Sequence, residues 1–241
     1  MSAKETACAK CSIKKRICRD PKGSGPDFCP TKNLSGLIAK IRPEYDRPEI
    51  AEFARQASLQ EASGLLRSGV EPGVVLNIKP RVQETAELAL RMGYKRLGLA
   101  FCIGFVKEAR ALTQVLEAQG FEVVSVACKV SRTPKEVLGI KEEEKVRPGS
   151  FEPMCNPILQ AAVLNEAKCD FNIVFGLCVG HDSLFLKYSQ ALSTVLAVKD
   201  RVLGHNPLAA LYNLEYYYAR LLAPGFGMTG VAGAPRPGAK R

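Results

Sequence analysis

Between residues 96 and 198, four short apolar runs alternate with longer amphipathic ones, and no other feature constrains this chain as strongly. Segments 96–103, 121–128, 171–178 and 193–198 have strand length and almost no internal charge. Such near-continuous apolar strands fit burial on both faces. The segments between them, 104–119, 156–167 and 181–191, have helical length, and Gly120 stops the first and Pro157 opens the second. Strand–helix alternation requires right-handed crossovers and a parallel sheet. The expected fold class is therefore α/β, a Rossmann-like, mostly parallel sheet with helices on both faces, preceded by a small segment carrying four cysteines.

The rest of the chain reads around that block. Pro48 opens a helix to about residue 66, with Ile50, Phe53, Ala54, Ala57, Ala62 and Leu65 on one stripe. A short apolar run covers 74–78, and Pro80 opens a helix to about Met92. A last helix is expected over 207–222, with Tyr212, Tyr216, Tyr217 and Tyr218. Segment 129–151 is long and charged, the pattern of a functional lid or a disordered connection. The domains expected are a metal-binding segment over 1–47, an α/β domain over 48–223, and a Gly-, Ala- and Pro-rich disordered tail over 224–241.

The formal charge of +10 is unevenly spread. Residues 1–48 hold eleven Lys and Arg against five Asp and Glu, a net of +6, and 225–241 add +3, which leaves +1 for the whole middle. Basic ends on a near-neutral core argue against a nucleic-acid footprint. The N-terminus lacks the apolar core of a signal peptide, and no apolar run approaches the roughly 20 residues of a membrane span. The expectation is a soluble cytoplasmic protein without membrane contact. Nine cysteines, an odd number without an export signal, point to metal binding, redox chemistry or burial rather than to disulfides.

Four of the nine fall in the polar N-terminal segment, as Cys8-x2-Cys11-x6-Cys18-x10-Cys29-Pro30. That segment has too little apolar surface to fold on packing alone. A Cys-x2-Cys pair can wrap one ion in a tight turn, and two later cysteines complete a tetrahedron. Zinc is the first expectation. The missing second tight pair and the Cys29-Pro30 step keep an iron–sulfur cluster as the alternative.

The other cysteines are placed by the fold. Cys102, Cys128 and Cys178 each close a predicted strand, and Cys155 stands at the start of a crossover helix. All four belong to the carboxyl rim, where open α/β sheets bind ligands. They are candidate ligands of a second site, of the [4Fe–4S] type, or a redox-active thiol cluster. Cys169 lies away from the rim and reads as a packing residue. Both histidines, His181 and His205, fall in rim loops, as do Lys199 and Arg201. His181 is a candidate ligand or acid–base group. His205 and Lys199 join it as candidate catalytic residues, and Lys199 with Arg201 could hold an anion. Asp182 reads as a helix cap, and Asp200 as an ion-pair partner of Lys199 and Arg201. No dinucleotide glycine motif follows the first strand, and there is neither a phosphate-binding Walker loop nor a G-x-S-x-G elbow.

These motifs carry a resemblance. Cys8-Ala-Lys-Cys11 with Cys18 and Cys29-Pro30, Ala100-Phe-Cys102-Ile-Gly104, Gly176-Leu-Cys178-Val-Gly-His181-Asp182-Ser183 and Val198-Lys-Asp-Arg201-Val-Leu-Gly-His205-Asn206-Pro207 resemble a family of metal-binding proteins of unknown function, mostly from anaerobic bacteria and archaea. The resemblance spans nearly the whole chain outside the tail and implies metal binding, not a reaction. The functional expectation is a metal-binding protein with partners limited to a metal ion, a small molecule or a redox protein. The alternatives are a metal-handling or ligand-binding module without turnover, and a zinc-finger regulator on nucleic acid. Oligomeric state is left open.

Overall fold

The structure is a computed structural model and describes residues 5–67 and 75–223. The expected tail, and the Pro72-Gly73 stop between the first two helices, lie outside the described residues. The chain divides into two compact units, 1–77 and 78–241.

The first unit begins with a short 3-10 turn, Cys8–Lys10, followed by a loop that crosses back on itself. The amide of Ile17 donates to the Ser24 carbonyl, and that of Ser24 to the Lys15 carbonyl. Gly23 makes the crossing possible, because a Cβ there would overlap the backbone of Arg16. The helices are α1 (Pro30–Asn33), α2 (Ser35–Ile41) and α3 (Pro48–Ser63). A two-stranded antiparallel sheet of β1 (Leu65–Arg67) and β2 (Val75–Asn77) closes the unit. The boundary expected at 47/48 therefore falls inside this unit. Arg47 spans that point, pairing with Glu44 in the preceding turn at 3.1 Å and with Glu49 of α3 at 2.7 Å.

The second unit is the α/β domain. Its elements are α4 (Arg81–Arg91), β3 (Arg96–Phe101), α5 (Val106–Ala118), β4 (Glu122–Ala127), α6 (Pro157–Glu166), β5 (Phe171–Leu177), α7 (His181–Tyr188), β6 (Ser193–Val198) and α8 (Leu208–Tyr212). The sheet is all parallel, in the order β4-β3-β5-β6. The chain first steps one way, from β3 to β4, then crosses back to β5. Strand order thus reverses between β3 and β5. Right-handed crossovers then put α5 on one face and α6 and α7 on the other. In agreement, α6 packs on α7, and α4 and α5 line one shared groove.

Burial follows strand position. Every residue of central β5 is buried, whereas β6 at the edge is half-buried throughout. Leu97, Leu99, Ile173 and Leu164 are fully buried, each contributing roughly 1.5–3 kcal/mol. Two buried amides tie the layers together. Gln160 of α6 donates to the carbonyls of Phe101 and Val126, joining the carboxyl ends of β3 and β4. Asn172 of β5 donates to Ser189 Oγ and stands where a Cβ on Gly98 of β3 would go. Arg81 covers the β6 edge, donating to the Val195 carbonyl and to Thr194 Oγ1.

Two expectations need correction. The last helix does not run from 207 to 222. It stops at Tyr212, Asn213 turns its side chain back onto the Ala209 carbonyl, and only a 3-10 turn follows at Ala219–Leu222. Tyr212, Tyr216 and Tyr217 are mostly exposed. With no apolar face to bury, four tyrosines of modest helix propensity do not sustain the helix. Segment 129–151 is not disordered. It is a closed loop, pinned inside by Lys145, which pairs with Glu136 and Glu142, and by the Lys135–Glu152 pair. No helix among the described residues is long and apolar enough to cross a membrane.

One glycine is decisive for the rim. Gly176, next to last in β5, has φ +67°, and a Cβ there would overlap the ring of Phe105. Gly180 also has positive φ, but open space lies around it. Gly176→Ala should therefore cost about 2–4 kcal/mol, combining backbone strain with overpacking. Gly180→Ala should cost only about 1 kcal/mol. Urea denaturation of the two variants checks the difference.

Candidate functional site

In the first unit the four N-terminal cysteines border one space. Cys8, Cys11, Cys18 and Cys29 all line a cavity of about 110 Å³, with Arg16, Ile17 and Gly25 among its other walls. Local structure explains the convergence. Cys8 and Cys11 sit at the two ends of the first 3-10 turn, with the Cys11 amide on the Cys8 carbonyl. Cys29 caps α1, where Pro30 fixes the first turn. Gly25 leaves room for Cys29, because a Cβ there would stand 2.9 Å from its Sγ. Arg16 bonds the Ile13 and Cys11 carbonyls and so braces the loop.

In the second unit the strand ends bring the rim cysteines to one edge. The Cys102 amide bonds the Phe175 carbonyl, the Cys128 amide bonds the Phe101 carbonyl, and the Lys199 amide bonds the Leu177 carbonyl. Segment 129–154 leaves the rim after Cys128 and returns to it. Its base is clamped by the Asn156 amide on the Cys128 carbonyl, the Met154 amide on the Thr133 carbonyl, and Lys129 Nζ on the Pro153 carbonyl. This clamp brings Cys155 Sγ to 3.8 Å from Cys128 Sγ. Cys102 and Cys128 each shift the other's proton affinity, so these two thiols are neighbours as well. Cys178 stands beside them through Arg201, whose Nη2 lies 3.3 Å from Cys178 Sγ. The charge on Arg201 is also felt at Cys102 and Cys155.

Electrostatics divides the three sulfurs. Cys128 is almost fully buried between two thiols, and those contacts together with burial push its pKa far up. Cys102 is held well below the usual thiol range by Cys128 first, with the Gly104 amide and Lys199 helping. Cys155 is lowered by Cys128, then by His181 and Lys129. His181 is raised in turn by its hydrogen bond to Cys155. The Ile103 amide reaches Cys128 Sγ at 3.4 Å. Amides, cations and the neighbouring Cys128 thiol thus favour thiolates at Cys102 and Cys155. Cys169 behaves in the opposite way. It lies at the other end of the sheet, where β5 begins, and burial raises it to about 11.

The remaining rim residues take distinct places. Asp182 caps its own turn, its Oδ1 accepting from the Gly180 and Ser183 amides. Asp200 does not pair with its basic neighbours, because its Oδ1 accepts from the Val202 and Leu203 amides. His205 has φ +69°, its Nδ1 accepts the Asp200 amide, and its ring packs 4.5 Å from Phe105. A neutral imidazole bonded in this way carries its proton on Nε2. His205 therefore locks the 199–207 loop and does not contact the sulfurs through Nδ1. Lys199 Nζ lies 4.1 Å from the centre of the Phe105 ring.

Sequence reasoning missed Phe105, Lys129 and the clamp at Asn156. Phe105 touches Phe175, His205 and Lys199 and fills the space that Gly176 leaves. The glycine inside an otherwise apolar strand was the available signal. Among the described residues, no group of three or more Cys, His, Asp or Glu has the arrangement of a metal site. The sulfurs are brought together at both places without being drawn around a common point.

The lowered Cys155 thiol has a measurable consequence. A group whose folded pKa is lowered is already charged at pH values where an ordinary thiol, near 8.5, is neutral. In chelator-treated protein, Cys155, half-buried and lowered, should be alkylated first at pH 6, and Cys169 last. His181→Gln should slow that alkylation several-fold at pH 6 and hardly at all at pH 9. Mass-spectrometric peptide mapping over time checks this.

The sequence comparisons bear on this geometry. A family model described as a protein of unknown function, DUF1847, matches residues 29–196. An uncharacterised protein of Methanocaldococcus jannaschii, MJ0455, is 40% identical over 215 residues, covering 89% of this chain and 97% of its own. The chain belongs to the DUF1847 family.

Proposed function

From the two sets of cysteines, we propose that the protein binds metal through thiolates at two separate places. Cys8, Cys11, Cys18 and Cys29 hold one ion, zinc in the first instance, and fold the N-terminal segment around it. A cavity lined by all four cysteines of a polar segment supports this reading. Iron–sulfur ligation at this place is the alternative, since thiolate ligation is common to both.

The second place is the rim. Cys102, Cys128, Cys155 and Cys178 hold an iron–sulfur cluster of the [4Fe–4S] type, which supplies one-electron redox chemistry to a small molecule or a redox partner in the cytoplasm. The observation that carries this reading is the contiguity of Cys102, Cys128 and Cys155 at the rim, next to the strand reversal, with amide and cationic donors directed at sulfur. N–H donors to sulfur are among the groups that tune such centres. His181, whose pKa Cys155 raises, is the group that moves a proton. Lys199 and His205 support the site from the opposite loop.

A metal-handling or small-ligand-binding module without turnover is the second reading. Anaerobic purification followed by absorption, electron paramagnetic resonance and elemental analysis separates the readings. Iron and sulfide should be found, and Cys102→Ser and Cys178→Ser should each lower bound iron while Cys169→Ser leaves it unchanged. Cys11→Ser should release the N-terminal ion alone. A colourless protein with one zinc and neither iron nor sulfide overturns the cluster; equal behaviour of the three serine variants overturns the rim assignment.

A further inference from the structure

The reading above leaves two rim cations without a carboxylate partner. Lys199 and Arg201 leave the sheet at its carboxyl edge, because the Lys199 amide still bonds the Leu177 carbonyl at the end of β5. Neither has a carboxylate within ion-pair distance among the described residues. The two nearest acids in sequence are otherwise engaged, Asp200 with the Val202 and Leu203 amides and Asp182 with the Gly180 and Ser183 amides.

Both cations are held in place by other means. Lys199 rests over the Phe105 ring, an interaction that orients an ammonium without neutralising it. Phe105 is itself fixed by Phe175, Gly176 and His205. Arg201 is exposed, and its contact with Cys178 uses one of its five N–H donors. Between the loops, position 104 is a glycine. A Cβ there would stand 3.2 Å from Lys199 Nζ and 4.0 Å from Cys102 Sγ. The missing side chain thus lets the ammonium lie close against the backbone, beside Cys102. Open α/β sheets bind ligands at the reversal of strand order, which here lies between the ends of β3 and β5.

We infer that the rim holds the oxyanion group of a small molecule, a carboxylate or a phosphate, between Lys199 and Arg201, beside the sulfurs. Arg201 supplies the planar fork that matches such a group and Lys199 the point charge. The inference rests on the rim being a ligand site and is independent of which metal, if any, the cysteines hold. It gives the proposed redox centre a substrate class, small anionic molecules.

The test uses the full chain, purified anaerobically, with inorganic phosphate and acetate as separate probes in titration calorimetry at constant ionic strength. One probe should bind saturably at one equivalent, and which one binds distinguishes a phosphate from a carboxylate site. Arg201→Gln and Lys199→Gln should each weaken binding about tenfold. Lys187→Gln, an equal loss of charge on an exposed face of α7, should not. Metal content is measured in every sample. The inference is overturned if neither probe binds the wild-type protein, if the rim variants lose no more than Lys187→Gln, or if Arg201→Gln loses metal together with the probe. If the wild-type protein carries no metal yet binds a probe through Arg201, the metal reading fails and the anion site stands. Arg201→Gln alone decides the case should Lys199→Gln destabilise the fold through its ring contact.

Discussion

The parallel pairing of β3 with β5 is the constraint on which the second unit depends. These two strands are adjacent in the sheet but separated in the chain by a strand, two helices and the loop between Cys128 and Cys155. Their pairing forces the chain to reverse direction across the sheet and leaves a crevice at their carboxyl ends. Cys102 follows one of these strands and Cys178 the other. Parallel pairing also requires every strand to end on the same edge, so Cys128 and Lys199 join them without any further device. Burial of β5 on both faces makes the pairing rigid, and Gln160 keeps the ends of β3 and β4 together just below the sulfurs.

Around this frame the rim is assembled by contacts of small individual worth. The loop from 129 to 154 is an excursion that returns to its start, and closing a loop of that length costs only a little more entropy than closing a short one. Three hydrogen bonds at its base offset that cost and fix Cys155 beside Cys128. Phe105 does the corresponding work on the opposite side of the crevice. Its ring separates His205 and Lys199 from the sheet and requires the glycine at 176. The two sides meet at the sulfurs, where Lys129 and His181 act on Cys155 and Lys199 on Cys102.

Much of this was legible in the sequence. The four strands of the α/β unit and most of its helices lie within a few residues of their expected places, because apolar runs and glycine or proline stops are local signals. The rim position of Cys102, Cys128 and Cys178 follows from strand ends alone, and that of Cys155 from the start of a crossover helix. The last helix was misread because four tyrosines give a periodic pattern whether or not a surface exists to cover them. The grouping of α3 with the N-terminal unit was equally hidden, since a helix does not announce which neighbour it packs on. Asp200 was expected to pair with Lys199 and Arg201, but the backbone amides of its own turn are closer and already fixed.

The sequence by itself determined the element types, the parallel sheet, the edge at which the cysteines collect and the thiol chemistry available there. Those properties depend on residue type and on spacing along the chain. Only the tertiary structure decided which thiols are raised and which lowered, that His181 acts on Cys155 while His205 serves the backbone, and that Arg201 reaches Cys178 across 23 residues. The reason is one of range. Proton affinity and hydrogen bonding are set by neighbours a few ångströms away, and those neighbours come from distant parts of the chain.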